Sequence, residues 1–153
     1  MDHAAAWTVG AELPRIRRTM TAERMRWYAD AYESVIAFAT EPMHHAPNIH
    51  TDDEFARSKG LPARVADGMI TTNWVSSLLS DIYGVHYLEG GSLRTRYVKP
   101  VFVDDVLEIV VTIVDREPHP SGGDQLRLEV ACTKPNGDVA TAGTATVRVP
   151  AGA

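Results

Sequence analysis

Polar and apolar positions along the chain change rhythm once. Up to about Tyr83 the apolar residues recur at helical spacings of three and four; beyond it they alternate with the period of two that marks a strand. Ile16 to Met20 predicts a short strand, and Ala22, Met25, Tyr28, Ala29 and Tyr32 put one buried face on a helix over about 21–38. Thr40 to Ile49 carries two prolines and no period, which predicts an irregular loop. Thr51-Asp52-Asp53-Glu54 then has the pattern of a capping box, opening a short helix through Phe55 and Ala56 that ends at Gly60. From Met69 to Tyr83, Ile70, Trp74, Leu78 and Ile82 recur every four residues and are joined by Val75 and Leu79. This wide apolar stripe marks the most hydrophobic helix of the chain, expected at its centre.

The second half reads as strands. Ser92–Val98 is one, broken by Pro100 before Val103. Leu107, Ile109, Val111 and Ile113 share a face opposite Glu108 and Thr112, and Leu126, Leu128, Val130 and Cys132 do the same opposite Arg127 and Glu129. Pro135-Asn136-Gly137-Asp138 is a turn signal leading into Val139–Val149. Helices early and strands late predict an α+β fold, a curved antiparallel sheet wrapped around one long helix. With no internal repeat and no linker, residues 1–153 are expected to form one domain.

Composition narrows the partners. The formal charge of −5 argues against nucleic acid or an anionic membrane, both of which need a basic face. No apolar run approaches the roughly 18 residues of a membrane span, and the N-terminal MDHAAAWTVGAELPRIRR lacks the basic-then-apolar order of a signal peptide. Cys132, the single cysteine, forms no internal disulfide, and no Cys/His spacing suits zinc. The expected setting is the cytoplasm, with no metal and no cofactor.

Three segments carry candidate chemistry: His50, the Gly60-Leu61-Pro62 turn, and Ala66-Asp67-Gly68-Met69 at the start of the apolar helix. A backbone N–H at a helix start, near Gly68, suits developing negative charge, and a histidine reaching the same place suits proton transfer. By spacing alone, His50 equally reads as a surface residue beside a cap and Gly68 as a helix-entry glycine.

Order and spacing add a family. From about Tyr28 to Val103 the chain resembles the MaoC-like (R)-specific enoyl-thioester hydratases of the hot-dog fold. The matching pieces are Asn48-Ile49-His50-Thr51-Asp52, Phe55-Ala56, Gly60-Leu61-Pro62, Ala66-Asp67-Gly68-Met69 and Lys99-Pro100-Val101-Phe102-Val103-Asp104-Asp105. The resemblance implies a lyase that adds or removes water on an acyl thioester carried by coenzyme A or an acyl carrier protein. It makes His50 the base or acid and Gly68 the donor to the thioester oxygen as enolate charge develops, with Asn48 and Met69 among the substrate contacts. It also implies a homodimer, which would bury the open edge of the sheet.

Two positions depart from the family pattern. The family aspartate five residues before the histidine falls on His45, and by the preceding Tyr28-Ala29-Asp30-Ala31-Tyr32-Glu33 text it falls on Ser34, with about ten extra residues between. Asp67 stands where the family mostly has histidine. Glu33 and Asp67 are the carboxylates expected to stand in, or His45 pairs with His50. The altered motif also suits a polyketide cyclase or double-bond isomerase of a specialised pathway, a hot-dog thioesterase, or a non-catalytic subunit of a heterodimeric dehydratase.

Other residues read two ways. Adjacent His44 and His45 diverge on an extended chain and have no partner at ligand spacing, so metal is not expected. Tyr32, with Trp27 and Tyr28, either lines an acyl pocket or packs the first helix, and Trp74 is either pocket wall or core. Asn73 either touches ligand or is solvated. Arg94 and Arg96 share a strand face and, with Lys99, offer a basic edge for carrier phosphates or simply a solvated one.

Overall fold

A computed structural model describes residues 7–36 and 47–151, with the backbone alone described for 32–36. Strand β1 (Ile16–Thr19) leads into helix α1 (Ala22–Ile36); helices α2 (Asp53–Ser58), α3 (Gly68–Tyr83) and α4 (Val85–Gly90) follow. Strands β2 (Ser92–Tyr97), β3 (Val106–Pro118), β4 (Asp124–Thr133) and β5 (Val139–Val149) close the chain. They form a five-stranded sheet in the order β1-β3-β4-β5-β2, every neighbouring pair antiparallel.

The alternation of the second half is realised as expected. Leu107, Ile109, Val111 and Ile113 of β3 and Leu126, Leu128, Val130 and Cys132 of β4 are all buried on one face, paired across the strands as Ile109 with Cys132, Val111 with Val130 and Ile113 with Leu128. On the same face β5 presents Thr141, Gly143 and Ala145, which pair with Cys132, Val130 and Leu128. These small side chains leave room for α3, whose Thr71 meets Thr141. A register shift between Ile113 and Asp115 bends β3 where the long strand must curl. Gly137, at φ +85°, closes the Lys134–Asp138 turn that joins β4 to β5.

Against this face lie Ile70, Val75, Leu78, Leu79 and Tyr83 of α3, all buried. Each such large side chain contributes about 1.5–3 kcal/mol on burial. Ile70, Val75, Leu78 and Leu79 of the expected stripe are buried, Trp74 and Ile82 pack only partly buried on its flank, and Thr71 and Tyr83 join the buried face. Trp74 instead lies beneath the Arg24 guanidinium, 5.9 Å from its ring centre.

Three further expectations are corrected. The N-cap of α2 is Asp52, whose Oδ1 accepts from the Phe55 N–H at 2.7 Å, because the Asn48 carbonyl already takes the N–H groups of Thr51 and Asp52 and holds the chain in a turn to that point. The chain after Tyr83 does not pass straight into strands, since α4 intervenes after Gly84 at φ +54°; six residues are too few to show a period. On α1, Met25 is buried, but Ala22 and Trp27 are exposed, so Trp27 packs neither a core nor a pocket.

Candidate functional site

The site is assembled from three distant stretches of backbone. The Asn48 side chain accepts from the His50 N–H at 2.8 Å, forming a tight turn that presents the imidazole. The Ile49 carbonyl accepts from Val65 N–H (2.9 Å), and one residue on the Val101 carbonyl accepts from Ala66 N–H (2.8 Å). The turn, the segment entering α3 and the segment after β2 are thereby laid side by side.

His50 is half-buried, and its Nδ1 lies 2.8 Å from the Val65 carbonyl oxygen. A carbonyl only accepts, so Nδ1 carries the proton and the neutral ring keeps its lone pair on Nε2. The ring is thus held in the tautomer and orientation a general base needs.

At the head of α3, Asp67 is the N-cap, its Oδ1 accepting from the Met69 N–H at 2.8 Å. The Gly68 N–H has no acceptor among the described residues. It stands at the positive end of a 16-residue helix, where partial negative charge is stabilised. The Tyr97 ring from β2 lies against Gly68: a Cβ there would sit 2.6 Å from three ring carbons, so a larger residue would have to displace the ring. The Tyr97 hydroxyl is tied to Thr72 Oγ1 at 3.0 Å, and Thr72 to Thr95 at 2.7 Å.

His50 and Gly68 line one cavity of about 340 Å³, with Asp67, Thr71, Tyr97 and Thr141 among its walls. Deep in it, buried Thr71 donates to the Gly68 carbonyl (2.7 Å) and meets Thr141 Oγ1 at 2.7 Å, so both hydroxyls are satisfied. The cavity offers a tethered imidazole, an unused backbone donor at a helix start and mostly uncharged walls, Asp67 and Lys99 being the charged residues among them. That combination suits a carbonyl compound gaining negative charge on oxygen while a proton moves nearby.

The sequence candidates fare differently. His50, Gly68 and Asp67 come together, although one Asp67 oxygen is occupied by the cap. Asn48, Met69 and Trp74 do not line this cavity. Asn48 holds the His50 turn, Met69 is exposed because one helical step carries it past the cavity, and Trp74 lies against Arg24. His45 lies outside the described residues, as do the side chains of Tyr32 and Glu33, and so does the His44–His45 pair. Among the described residues no three His, Cys, Asp or Glu groups could share a metal. Asn73 is solvent-exposed.

Tyr97, Thr71 and Thr141 carried no expectation as site residues. Alternation of β2 does place Tyr97 with Leu93 and Thr95 on the helix side, and Arg94 and Arg96 therefore on the outer face of the sheet, away from the cavity. Lys99, at the cavity rim, is paired with Asp138 at 2.5 Å, and this bond holds the Asp138 carboxyl below its ordinary value. Cys132 is no nucleophile: burial pushes its thiol up to about 12.

A curved antiparallel sheet wrapped around a long helix whose N-terminus opens into a cavity is the hot-dog fold. The sequence model described as "MaoC like domain" matches residues 8–127, and the chain belongs to that family. Solved structures agree in fold. The (R)-hydratase from A. caviae involved in PHA biosynthesis is 20% identical, with a TM-score of 0.69 over 95% of this chain and 98% of that one. The MaoC-like dehydratase from Rhodospirillum rubrum is 22% identical, with a TM-score of 0.67 over 95% and 96%. The C-terminally truncated HadBC (3R-hydroxyacyl-ACP dehydratase) complex from Mycobacterium tuberculosis is 20% identical, with a TM-score of 0.65 over 92% and 96%. No curated protein sequence matches. Among the described residues no helix is long and apolar enough to cross a membrane.

Proposed function

We propose that the protein is a hydro-lyase adding or removing water across the Cα–Cβ bond of an acyl thioester, carried by coenzyme A or an acyl carrier protein. One observation carries the reading: His50, with Nε2 left open, and Gly68, with its N–H unclaimed, line the same cavity at the head of α3. In hydration, electrons displaced from the double bond gather on the thioester oxygen, and the Gly68 N–H with the helix behind it stabilises that charge. His50 Nε2 exchanges the proton. Membership of a family that includes hydratases and dehydratases supports this reaction over thioester hydrolysis, cyclisation or isomerisation. On this reading residues 1–153 form one domain working in the cytoplasm without cofactor.

A second copy completes the reading. β2 ends the sheet with an open edge directly beside Tyr97 and the cavity, the position where pairing with another β2 would continue the sheet. We assign a homodimer, with sedimentation as its check. A heterodimer is the competing arrangement, since two similar structures, ChsH1–ChsH2 and HadBC, are complexes of unlike chains.

The test is the ultraviolet absorbance of a short trans-2-enoyl coenzyme A thioester mixed with the protein. Loss of the conjugated band, abolished in folded His50→Ala, is the expected result. A stable band with folded wild-type protein overturns the reading.

A further inference from the structure

His50 has a second side. Between α1 and the His50 turn lies another cavity, of about 490 Å³, to which α1 contributes Glu23, Arg26 and Asp30 and the loop before α3 contributes Arg64. Among the described residues His50 is the one that lines both this cavity and the one at Gly68. The two therefore meet at the imidazole.

Hydration needs a second proton-handling group beside the histidine, because one proton leaves water while another arrives at Cα. The carboxylates near His50 are mostly engaged elsewhere. Asp67 caps α3, Asp52 caps α2, and Asp53 accepts from the Arg64 N–H at 2.8 Å. Glu23 stands in the first turn of α1, where an acidic side chain stabilises the helix end. Asp30 has no such explanation. It lies past the middle of the 15-residue helix, where aspartate is a poor former, and no hydrogen bond or ion pair engages its carboxylate among the described residues.

We propose that Asp30 is the carboxylate that works with His50, holding the reacting water at the α1 side of the imidazole. The assignment rests on the hydro-lyase reading. Water gives one proton to the Asp30–His50 pair as its oxygen bonds to Cβ, and the double-bond electrons move through Cα onto the thioester oxygen at the Gly68 N–H. The same pair then returns a proton to Cα. One water is added and nothing is oxidised or reduced.

The experiment measures kcat and KM for hydration of a short trans-2-enoyl coenzyme A thioester by the full chain and by Asp30→Asn, Asp30→Glu and Glu23→Gln. Asp30→Asn is expected to lose about 10²- to 10⁴-fold in kcat with KM little changed. Asp30→Glu, which restores the charge at a different reach, should recover part of that loss, while Glu23→Gln stays within about twofold of wild type. A carboxylate that merely supported the helix would not separate kcat from KM in this way. Wild-type kcat in Asp30→Asn, or the large loss falling on Glu23→Gln instead, overturns the assignment and leaves the hydro-lyase reading standing. No turnover by folded wild-type protein overturns both.

Discussion

The sheet interior and the His50–Gly68 corner are built on opposite principles. Between β3, β4 and β5 the inner face is dry: Leu107, Ile109, Val111, Leu126 and Leu128 are fully buried. At the corner the chain leaves a cavity, spends hydrogen bonds on irregular backbone and keeps donors and acceptors within reach of solvent. The sheet holds the molecule together through apolar area, which any side chain of suitable size supplies. The corner depends on single atoms: the Val65 carbonyl, the Gly68 N–H and the Asn48 amide oxygen. On the proposed function stability and chemistry are thus separable in this fold, and variants can be chosen to move one without the other.

Four substitutions probe that separation, in falling order of effect. His50→Ala removes the proposed base and should reduce turnover by about 10²–10⁴-fold, while thermal unfolding stays close to wild type, because the imidazole makes one described hydrogen bond and fills no core. Leu128→Ala does the converse: it leaves a void at the centre of the sheet and should lower stability by about 2–5 kcal/mol in denaturant titration. If the folded fraction of Leu128→Ala also lost specific activity, the two regions would not be independent.

Gly68→Ala sits on the boundary. Its Cβ would enter the Tyr97 ring, so it should cost about 1–3 kcal/mol and disturb the cavity together. Combining it with Tyr97→Ala should restore part of the stability, and a double-mutant cycle measures how much. Asp67→Ala removes the cap on α3 and should cost about 0.5–2 kcal/mol in melting experiments, with turnover reduced only modestly if Asp67 acts through the helix start and not on the proton.

Legibility followed the range of the interactions. Alternation in Leu107–Ile113 and Leu126–Cys132 reports directly which face is buried, since neighbours two apart share a side whatever else the chain does. The Asn48–His50 motif and the Ala66–Met69 segment were also readable, as text. That the Nδ1 of His50 meets a carbonyl 15 residues away, or that Tyr97 closes over Gly68, was not, because nothing local to either residue records it. The same holds for α4 and for the exact cap of α2, where one turn of backbone hydrogen bonding moved the helix start from Thr51 to Asp52. Trp74 was misleading for a related reason: a 3.6-residue period leaves the edge of the apolar face on α3 open, and packing against β5 turned it toward Thr71 and Tyr83 and away from Trp74 and Ile82.

The sequence alone determined the α+β class, the apolar rows of the sheet and the central helix, because short-range periods encode each of them, while resemblance to a family motif singled out His50 and Gly68 as candidates. Tertiary structure decided which tautomer His50 adopts, which carboxylates are free, which of Arg94, Arg96 and Tyr97 faces the helix, and that His50 stands between two cavities. Those outcomes depend on backbone groups from distant segments meeting at hydrogen-bond distance, and such meetings exist only once the sheet has curled around α3.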